Sequence, residues 1–441
     1  MDRRRRPTVS LTTVGCKLNQ YESEGLADGF ERAGFRVVPS GDRADVCVVN
    51  TCTVTTRSDY RSRQMLRRGA RVSDVVVATG CYAEREPGSL ARMPEVRLIV
   101  GNGSKNRLVE LVSELLDGGP VDRIHHEPVS TSCDGYDVST FRGHTRAFIK
   151  IQDGCDHRCS YCAVPDARGP SRSRPTAEIL DQVARLAGAG YREVVLTGVH
   201  IGCFEDGIEA GSALARLVEQ VVDVEGIERV RLGSVEPTEL LPDLAELIVR
   251  EERVCPHLHI PLQSGSDRVL KAMGRRYDSA SYIDNVRLVT DELPFCGFGA
   301  DVMVGFPGET DEDFAETVEV IESLPFTYLH VFSYSPRAGT EAARRSDQVP
   351  GVEKRRRSRQ LRELSRRRSL SFRRSLIGRK LSVLFEDREG PAPGLATGLS
   401  ENYVRIDAPG GPELANRLGE VEIIEADGEA TRGAVLESTL R

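Results

Sequence analysis

Cys155, Cys159 and Cys162 stand within eight residues, spaced C-x3-C-x2-C, directly after the apolar run Ala147-Phe148-Ile149-Lys150-Ile151. This spacing puts three thiolates on one loop, close enough to hold a single polynuclear metal centre. Iron–sulfur cubanes usually take four cysteine ligands, and a closed structural zinc site also takes four ligands. Only three are offered locally. Either a fourth comes from far away, or one metal position is left open for chemistry.

Three more cysteines follow valine-rich or alternating apolar runs: Cys16 in Val14-Gly15-Cys16-Lys17, Cys52 in Asn50-Thr51-Cys52-Thr53, and Cys81 in Thr79-Gly80-Cys81-Tyr82. The elements that must position them are legible. Thr8–Val14 reads as a strand and Glu22–Ala33 as a helix, with further strands at Asp45–Asn50, Val75–Thr79 and Val96–Val100. Such alternation argues an open parallel α/β sheet, whose ligands bind at the carboxyl ends of the strands. Small, half-apolar cysteines also fill strand ends for no reason beyond packing. Three at the same end, each beside Gly or Thr, favour a second three-thiolate metal site. Cys47 lies inside a strand and reads as core. His125-His126 and Cys133 fall in a weakly patterned stretch and read as ordinary loop residues.

A longer βα series runs from 147 to about 335, with strands expected at 147–152, 192–197, 228–233, 257–262, 298–304 and 327–334. Six βα units fit a curved parallel sheet or partial barrel with its site at the strand carboxyl ends. The Cys155 loop follows the first of these strands. Thr197-Gly198, Ser234-Val235-Glu236-Pro237, Pro261-Leu262-Gln263-Ser264 and Gly305-Phe306-Pro307-Gly308 fall at other strand ends and outline a pocket on the same rim. The expected divisions are an α/β domain at 1–116, a linker at 117–145, the partial barrel at 146–350, a basic helix at 351–375, and a small antiparallel β domain or barrel at 376–441.

The chain has 441 residues, which suggests about three domains. A net charge of −7 with 29% charged residues predicts no polyanion partner from bulk charge. Distribution says more, because Glu353–Arg374 holds eleven Lys/Arg and two acids. Such a run is either a solvated helix face or a phosphate-binding one. No stretch approaches about 20 unbroken apolar residues, and the basic opening Met1–Arg6 lacks the apolar core of a signal peptide. We expect a cytoplasmic protein whose thiols stay reduced, so clustered cysteines point to metal.

The C-x3-C-x2-C loop, with Tyr161 before its last cysteine, resembles that of the radical S-adenosylmethionine enzymes. An N-terminal α/β domain with three further cysteines resembles the methylthiotransferase branch, and the C-terminal β module looks like a TRAM RNA-binding domain. Thr13–Glu22, Val49–Thr55, Pro165–Arg174 and His257–Ser266 are most similar to the bacterial tRNA threonylcarbamoyladenosine methylthiotransferases. The resemblance covers essentially the whole chain.

By that resemblance, Cys155, Cys159 and Cys162 hold three irons of a [4Fe–4S] cluster, and S-adenosylmethionine chelates the fourth. Cys16, Cys52 and Cys81 hold a second [4Fe–4S] cluster that delivers sulfur. The chemistry is consistent: replacing the C–H at adenine C2 by C–S–CH3 breaks a bond that no positioned acid or base could ionise, so a 5′-deoxyadenosyl radical is the implied agent. The resemblance places cofactor contacts at Thr197, Gly198, Ser234, Glu236, Gln263, Asp301 and Gly305. RNA contacts are expected at Arg168, Arg172, Arg174, Arg355, Arg356, Arg357 and Arg359, and in the β module. The implied partners are the anticodon arm of tRNA and an electron-donor protein, with a monomer as the default state. Alternatives are an isopentenyl-adenosine tRNA or a ribosomal-protein aspartate as substrate, or a non-catalytic Fe–S or zinc protein that binds RNA.

Overall fold

The structure is a computed structural model that describes residues 6–133, 135–207 and 212–441. The expected basic opening lies outside the described residues except for Arg6. The chain forms two compact units: Met1–Thr140 with Lys150–Arg174 and Ser335–Ala343, and Phe141–Ile149 with Pro175–Tyr334 and Arg344–Arg441. These units do not follow the composition shifts. The Cys155 loop belongs with the N-terminal sheet rather than with the barrel.

The first unit is built on six parallel strands: β1 (Thr8–Thr13), β2 (Arg36–Val38), β3 (Ala44–Thr51), β4 (Ser73–Gly80), β5 (Leu98–Val100) and β6 (Ile124–His125). Their order is β2-β1-β3-β4-β5-β6. The expected strands are all present, and the edge strands β2 and β6 are additions. Alternate β3 residues enter separate apolar clusters, Cys47 and Val49 in one and Val46 and Val48 in the other. Burial on both faces is what a parallel sheet requires. The helix Lys17–Arg32 after β1 contributes Leu26 and Phe30 to one cluster, and the helix Thr56–Gly69 after β3 contributes Leu66 to the other. The crossovers from β1 and β3 therefore take opposite faces, which opens a crevice at their carboxyl ends.

The first helix begins at Lys17, five residues before the expected start, with Cys16 as its N-cap residue. The stretch expected as a linker belongs to this unit as far as Thr140. Beyond supplying β6, it hydrogen-bonds Tyr136 N–H to Tyr21 Oη at 2.9 Å and Ser139 N–H to Asp28 Oδ2 at 2.7 Å.

The first strand of the second unit is β7 (Ala147–Lys150), whose last residue falls in the first unit. The short pair β8 (Gln152–Asp153) and β9 (Arg172–Ser173) brackets the Cys155 loop in the first unit. Then come β10 (Glu193–Thr197), β11 (Arg229–Leu232), β12 (His257–His259), β13 (Gly297–Val304) and β14 (Tyr328–Ser333). Parallel ladders order them β11-β10-β7 and β12-β13-β14, and a parallel bridge between Ser234 and His259 joins the two groups. This is the expected six-stranded partial barrel. A 25-residue helix, Gly351–Ser375, lies along β14 and leads into a closed five-stranded barrel of β15 (Lys380–Glu389), β16 (Leu395–Ser400), β17 (Arg405–Pro409), β18 (Leu418–Ala426) and β19 (Thr431–Val435). The barrel is mixed rather than purely antiparallel, because β17 meets β19 in parallel.

A buried ion cluster fixes the small barrel to the partial barrel. Glu193 accepts from Arg231 Nε at 2.8 Å and Arg229 Nη2 at 2.5 Å. The same arginines donate to Ser382 O and Leu399 O (Arg229) and to Ser400 O and Glu401 O (Arg231), at 2.9–3.1 Å. No helix among the described residues is long and apolar enough to cross a membrane.

Candidate active site

Cys16 follows β1, Cys52 follows β3 and Cys81 follows β4, so all three sit at one end of the sheet, with Cys16 and Cys52 flanking the β1/β3 crevice. Two glycines allow the approach. A Cβ on Gly15 (φ +122°) would stand 2.9 Å from Cys52 Cβ and 3.2 Å from its sulfur, and one on Gly80 (φ +91°) would strike Thr51 O at 2.5 Å. Positive φ and close approach both require glycine here. Burial pushes the Cys52 thiol up to about 11, and the neighbouring Cys81 and Cys16 add to the rise. Burial also raises the Cys16 thiol, with Arg168 opposing and Cys81 reinforcing. Solvent still reaches Cys16, although protein crowds it on most sides. The Cys52 thiol resists ionisation partly because Cys81 and Cys16 are near, and the Cys16 thiol partly because Cys81 is, a cost that a shared cationic centre would reverse.

The second set sits on a loop closed by its own backbone. Gly154 has φ +75°, and a Cβ there would lie 1.8 Å from Pro170 O. Cys155 N–H donates to Gly169 O at 3.1 Å, and Gln152 Nε2 donates to Gly154 O and Ser171 Oγ. His157 N–H points at Cys155 Sγ and Val164 N–H at Cys162 Sγ, each at 3.4 Å. Amides aimed at sulfur are the hydrogen bonds that cluster-ligating sulfurs accept. All eleven cysteines of the chain lie outside disulfides. Three thiols on one loop, two of them met by N–H donors, fit three irons of a cubane with a fourth left open. Three thiols gathered at strand ends beside obligatory glycines fit a second such group.

A buried polar network ties the two sets together. Arg168 Nη2 donates to Asn19 Oδ1 at 2.7 Å, while Nη1 meets Glu22 at 2.8 Å and Asp153 at 3.1 Å. Asn19, three residues after Cys16, donates to Val14 O and Thr51 O. Asp153 is two residues before Cys155. Lys105 pairs with Glu22 at 2.6 Å and Lys150 with Asp153 at 3.3 Å. Burial alone would raise the Glu22 carboxyl, but Arg168 and Lys105 overcome it and hold the group well below the usual carboxylate range. The segment Ser335–Ala343 also reaches both sets. Arg337 donates to Thr53 O and pairs with Asp59, each at 2.8 Å, and Ala342 N–H donates to Ser160 O at 2.8 Å. Lys105, Asp153 and Arg337 carried no signal in the sequence, and Asn19 and Glu22 stood within the Thr13–Glu22 stretch with no role assigned, since their partners lie far along the chain.

In the second unit, Thr197 ends β10 with Gly198 just beyond, and Ser234 and Glu236 follow β11. Ser234 Oγ lies 2.7 Å from His259 Nδ1, and Glu236 pairs with Arg275. Asp301 is on β13, paired with His259 at 3.3 Å and His330 at 3.2 Å. Gln263 has φ +60°, and its N–H donates to Asp301 O. The Gly305 turn is closed by its own chain, as Glu309 accepts from the Gly305 and Phe306 amides and pairs with Arg357 at 3.0 Å.

The expected RNA-facing arginines divide sharply. Arg168, Arg172, Arg174 and Arg357 have side chains or whole residues at most 7% exposed. Arg168, Arg172 and Arg357 meet buried carboxylates, and Arg174 donates to Lys150 O. This corrects the expectation for those four. Arg355, Arg356 and Arg359 are exposed, and Arg356 is paired with Glu353 and Asp311. Arg355, Arg359, Arg362 and Arg366 recur every three or four residues along the helix and line a groove of 590 Å³ with Ser333, Ser358, Ser365 and Leu329.

Residues 149–321 match the Radical SAM superfamily, and residues 8–101 match Uncharacterized protein family UPF0004. The chain is 38% identical to a threonylcarbamoyladenosine tRNA methylthiotransferase of Aquifex aeolicus, over 92% of this chain and 98% of the relative. It is 35% identical to the protein of the same name from Bacillus subtilis, over 95% and 94%. The chain belongs to the radical S-adenosylmethionine methylthiotransferase family. It is an enzyme, and membership brings one [4Fe–4S] cluster and S-adenosylmethionine. Among solved structures, a radical S-adenosylmethionine methyltransferase from Kitasatospora setae shares the fold, with a TM-score of 0.58 at 18% identity, covering 77% of each chain.

Proposed function

We propose that this methylthiotransferase modifies C2 of N6-threonylcarbamoyladenosine next to the anticodon of tRNA. In this reading Cys155, Cys159 and Cys162 hold the cluster whose open iron takes S-adenosylmethionine, and Cys16, Cys52 and Cys81 hold a second. When bound, these groups would supply a one-electron reductant, a radical precursor and a sulfur source. The residues of the chain supply placement. Arg168 and Asn19 hold the loop set and the strand-end set in one frame, and the amides of His157 and Val164 stabilise the thiolate ligands. Thr197, Gly198, Ser234 and Glu236 at consecutive strand ends, with Gln263, Asp301 and Gly305 further along, would contact the cofactor. Arg355, Arg356 and Arg359 and the small barrel would meet phosphates of the anticodon arm. The enzyme would act in the cytoplasm as a monomer, with an electron-donor protein. What supports this reading most is that two three-thiol sets share one compact unit and one buried network.

The test is anaerobic reconstitution followed by reduction with S-adenosylmethionine and tRNA, with 5′-deoxyadenosine and the nucleosides measured by mass spectrometry. The expected products are 5′-deoxyadenosine and 2-methylthio-N6-threonylcarbamoyladenosine. A methylthio group found only on isopentenyl-adenosine would overturn the substrate assignment. Absence of 5′-deoxyadenosine would overturn the cluster assignment.

A further inference from the structure

Cys203 belongs to neither three-cysteine set. It ends the short turn Ile201–Cys203 beyond β10, while Glu239 ends the turn Pro237–Glu239 beyond β11. The two turns meet at His200. His200 Nε2 stands 2.6 Å from Glu239 Oε1, and Cys203 Sγ stands 3.8 Å from that nitrogen, 3.4 Å from His200 Nδ1 and 3.4 Å from that oxygen. Zinc–sulfur and zinc–nitrogen or –oxygen bonds of about 2.3 and 2.0–2.1 Å set ligand atoms roughly 3.3–3.6 Å apart around a tetrahedral ion. The two sulfur edges of this triangle are already close to that spacing. The third edge is a hydrogen bond, and it lengthens when a cation replaces the shared proton.

An independent observation points the same way. Glu239 Oε2 is buried and accepts no hydrogen bond. It lies against Gly202, where a Cβ would come within 1.9 Å of it. Glycine thus lets a carboxylate reach inward and leaves one of its oxygens without a donor. A buried acceptor left so is costly, and a bound cation would remove the cost. Thiolate, imidazole and carboxylate together are the donor set of zinc. Cys203 and Glu239 are only partly buried, so an ion has a way in.

We propose that His200, Cys203 and Glu239 form a binding site for a divalent zinc-class cation that uses none of the six cluster cysteines. Binding expels the Cys203 thiol proton and moves the imidazole proton from Nε2 to Nδ1. The fourth coordination position is left for water or a ligand.

The experiment uses the full-length, cluster-reconstituted protein exposed to Zn2+ and then desalted, with metal counting and zinc-edge X-ray absorption, to which iron is invisible. The expected result is about one zinc per chain, with one sulfur at about 2.3 Å and nitrogen or oxygen at about 2.0–2.1 Å. Cys203→Ser should erase the sulfur shell, and Glu239→Gln should weaken uptake about tenfold or more. A first shell of three or four sulfurs would place zinc in a cluster trio and overturn the proposal. So would uptake and spectrum unchanged in either variant. The wild-type spectrum reads the site even where a variant fails to fold, and it does so whether or not the enzyme modifies tRNA.

Discussion

Cys155, Cys159 and Cys162 come from one loop, whereas Cys16, Cys52 and Cys81 come from three strand ends. The loop set owes its geometry to local backbone: Gly154 at positive φ, and amides turned onto sulfur. The strand-end set owes its geometry to the register of β1, β3 and β4 and to crossovers on opposite faces. A site of the first kind is specified by a few consecutive residues. A site of the second kind exists only once the sheet has formed, so it depends on folding as a whole.

The largest expected effect separates the sets chemically. Alanine at any of the six cysteines should abolish methylthiolation. Only Cys155→Ala, Cys159→Ala and Cys162→Ala should also abolish 5′-deoxyadenosine formation, while Cys16→Ala should retain it. Methylthiolated tRNA at the normal rate from Cys16→Ala would end the two-cluster reading.

A smaller effect probes what joins the sets. Arg168→Met leaves Glu22 and Asp153 buried with one cation fewer, and breaking such a network typically costs about 3–5 kcal/mol. Arg168→Lys keeps the charge but lacks the fork that spans Asn19, Glu22 and Asp153. Denaturant melts should rank wild type above Lys and Lys above Met, and both variants should lose iron from both sets. Loss from one set alone would show that the network does not couple them.

The smallest effect contrasts the two buried networks. Burial opposes the charge on Glu193, but Arg229 and Arg231 outweigh it and bring the carboxyl down to about 2. Its stabilising contribution is present above the unfolded carboxyl range near about 4.3 and is lost as pH falls toward about 2. Glu401 goes the other way. Burial raises it to about 7, and its Oε2 lacks a partner. The folded state therefore holds that proton more tightly than the unfolded state, and stability is lost as pH rises from about 4.3 through about 7. Thermal midpoints should decline over that window in wild type, and Glu401→Gln should flatten the decline. An unchanged slope in the variant would remove Glu401 from the account.

Much of this was legible in the sequence. The six strands of the partial barrel lie where alternating and valine-rich runs put them, and the strand-end cysteines followed from the parallel-sheet rule. Charge was less legible. Pro165–Arg174 looks like an RNA-facing run because three arginines recur in it, yet Arg168 is buried by an acid 146 positions earlier. Composition counts charges but does not see which of them meet a partner across the fold. The stretch 117–145 reads as a linker because its contacts, the two-residue strand β6, Val121 and Tyr136 against the core and hydrogen bonds to distant residues, form no periodic apolar face.

The Glu193 clamp has a mechanical consequence. Because Arg229 and Arg231 grip main-chain carbonyls at the ends of β16 and beyond, the terminal barrel behaves as a fixed jaw and not as a tethered arm. A nucleic acid held by that jaw is held at a set distance from the strand ends of the partial barrel. If the barrel grips RNA as proposed, it works like one arm of a caliper, with a set opening between that grip and those strand ends.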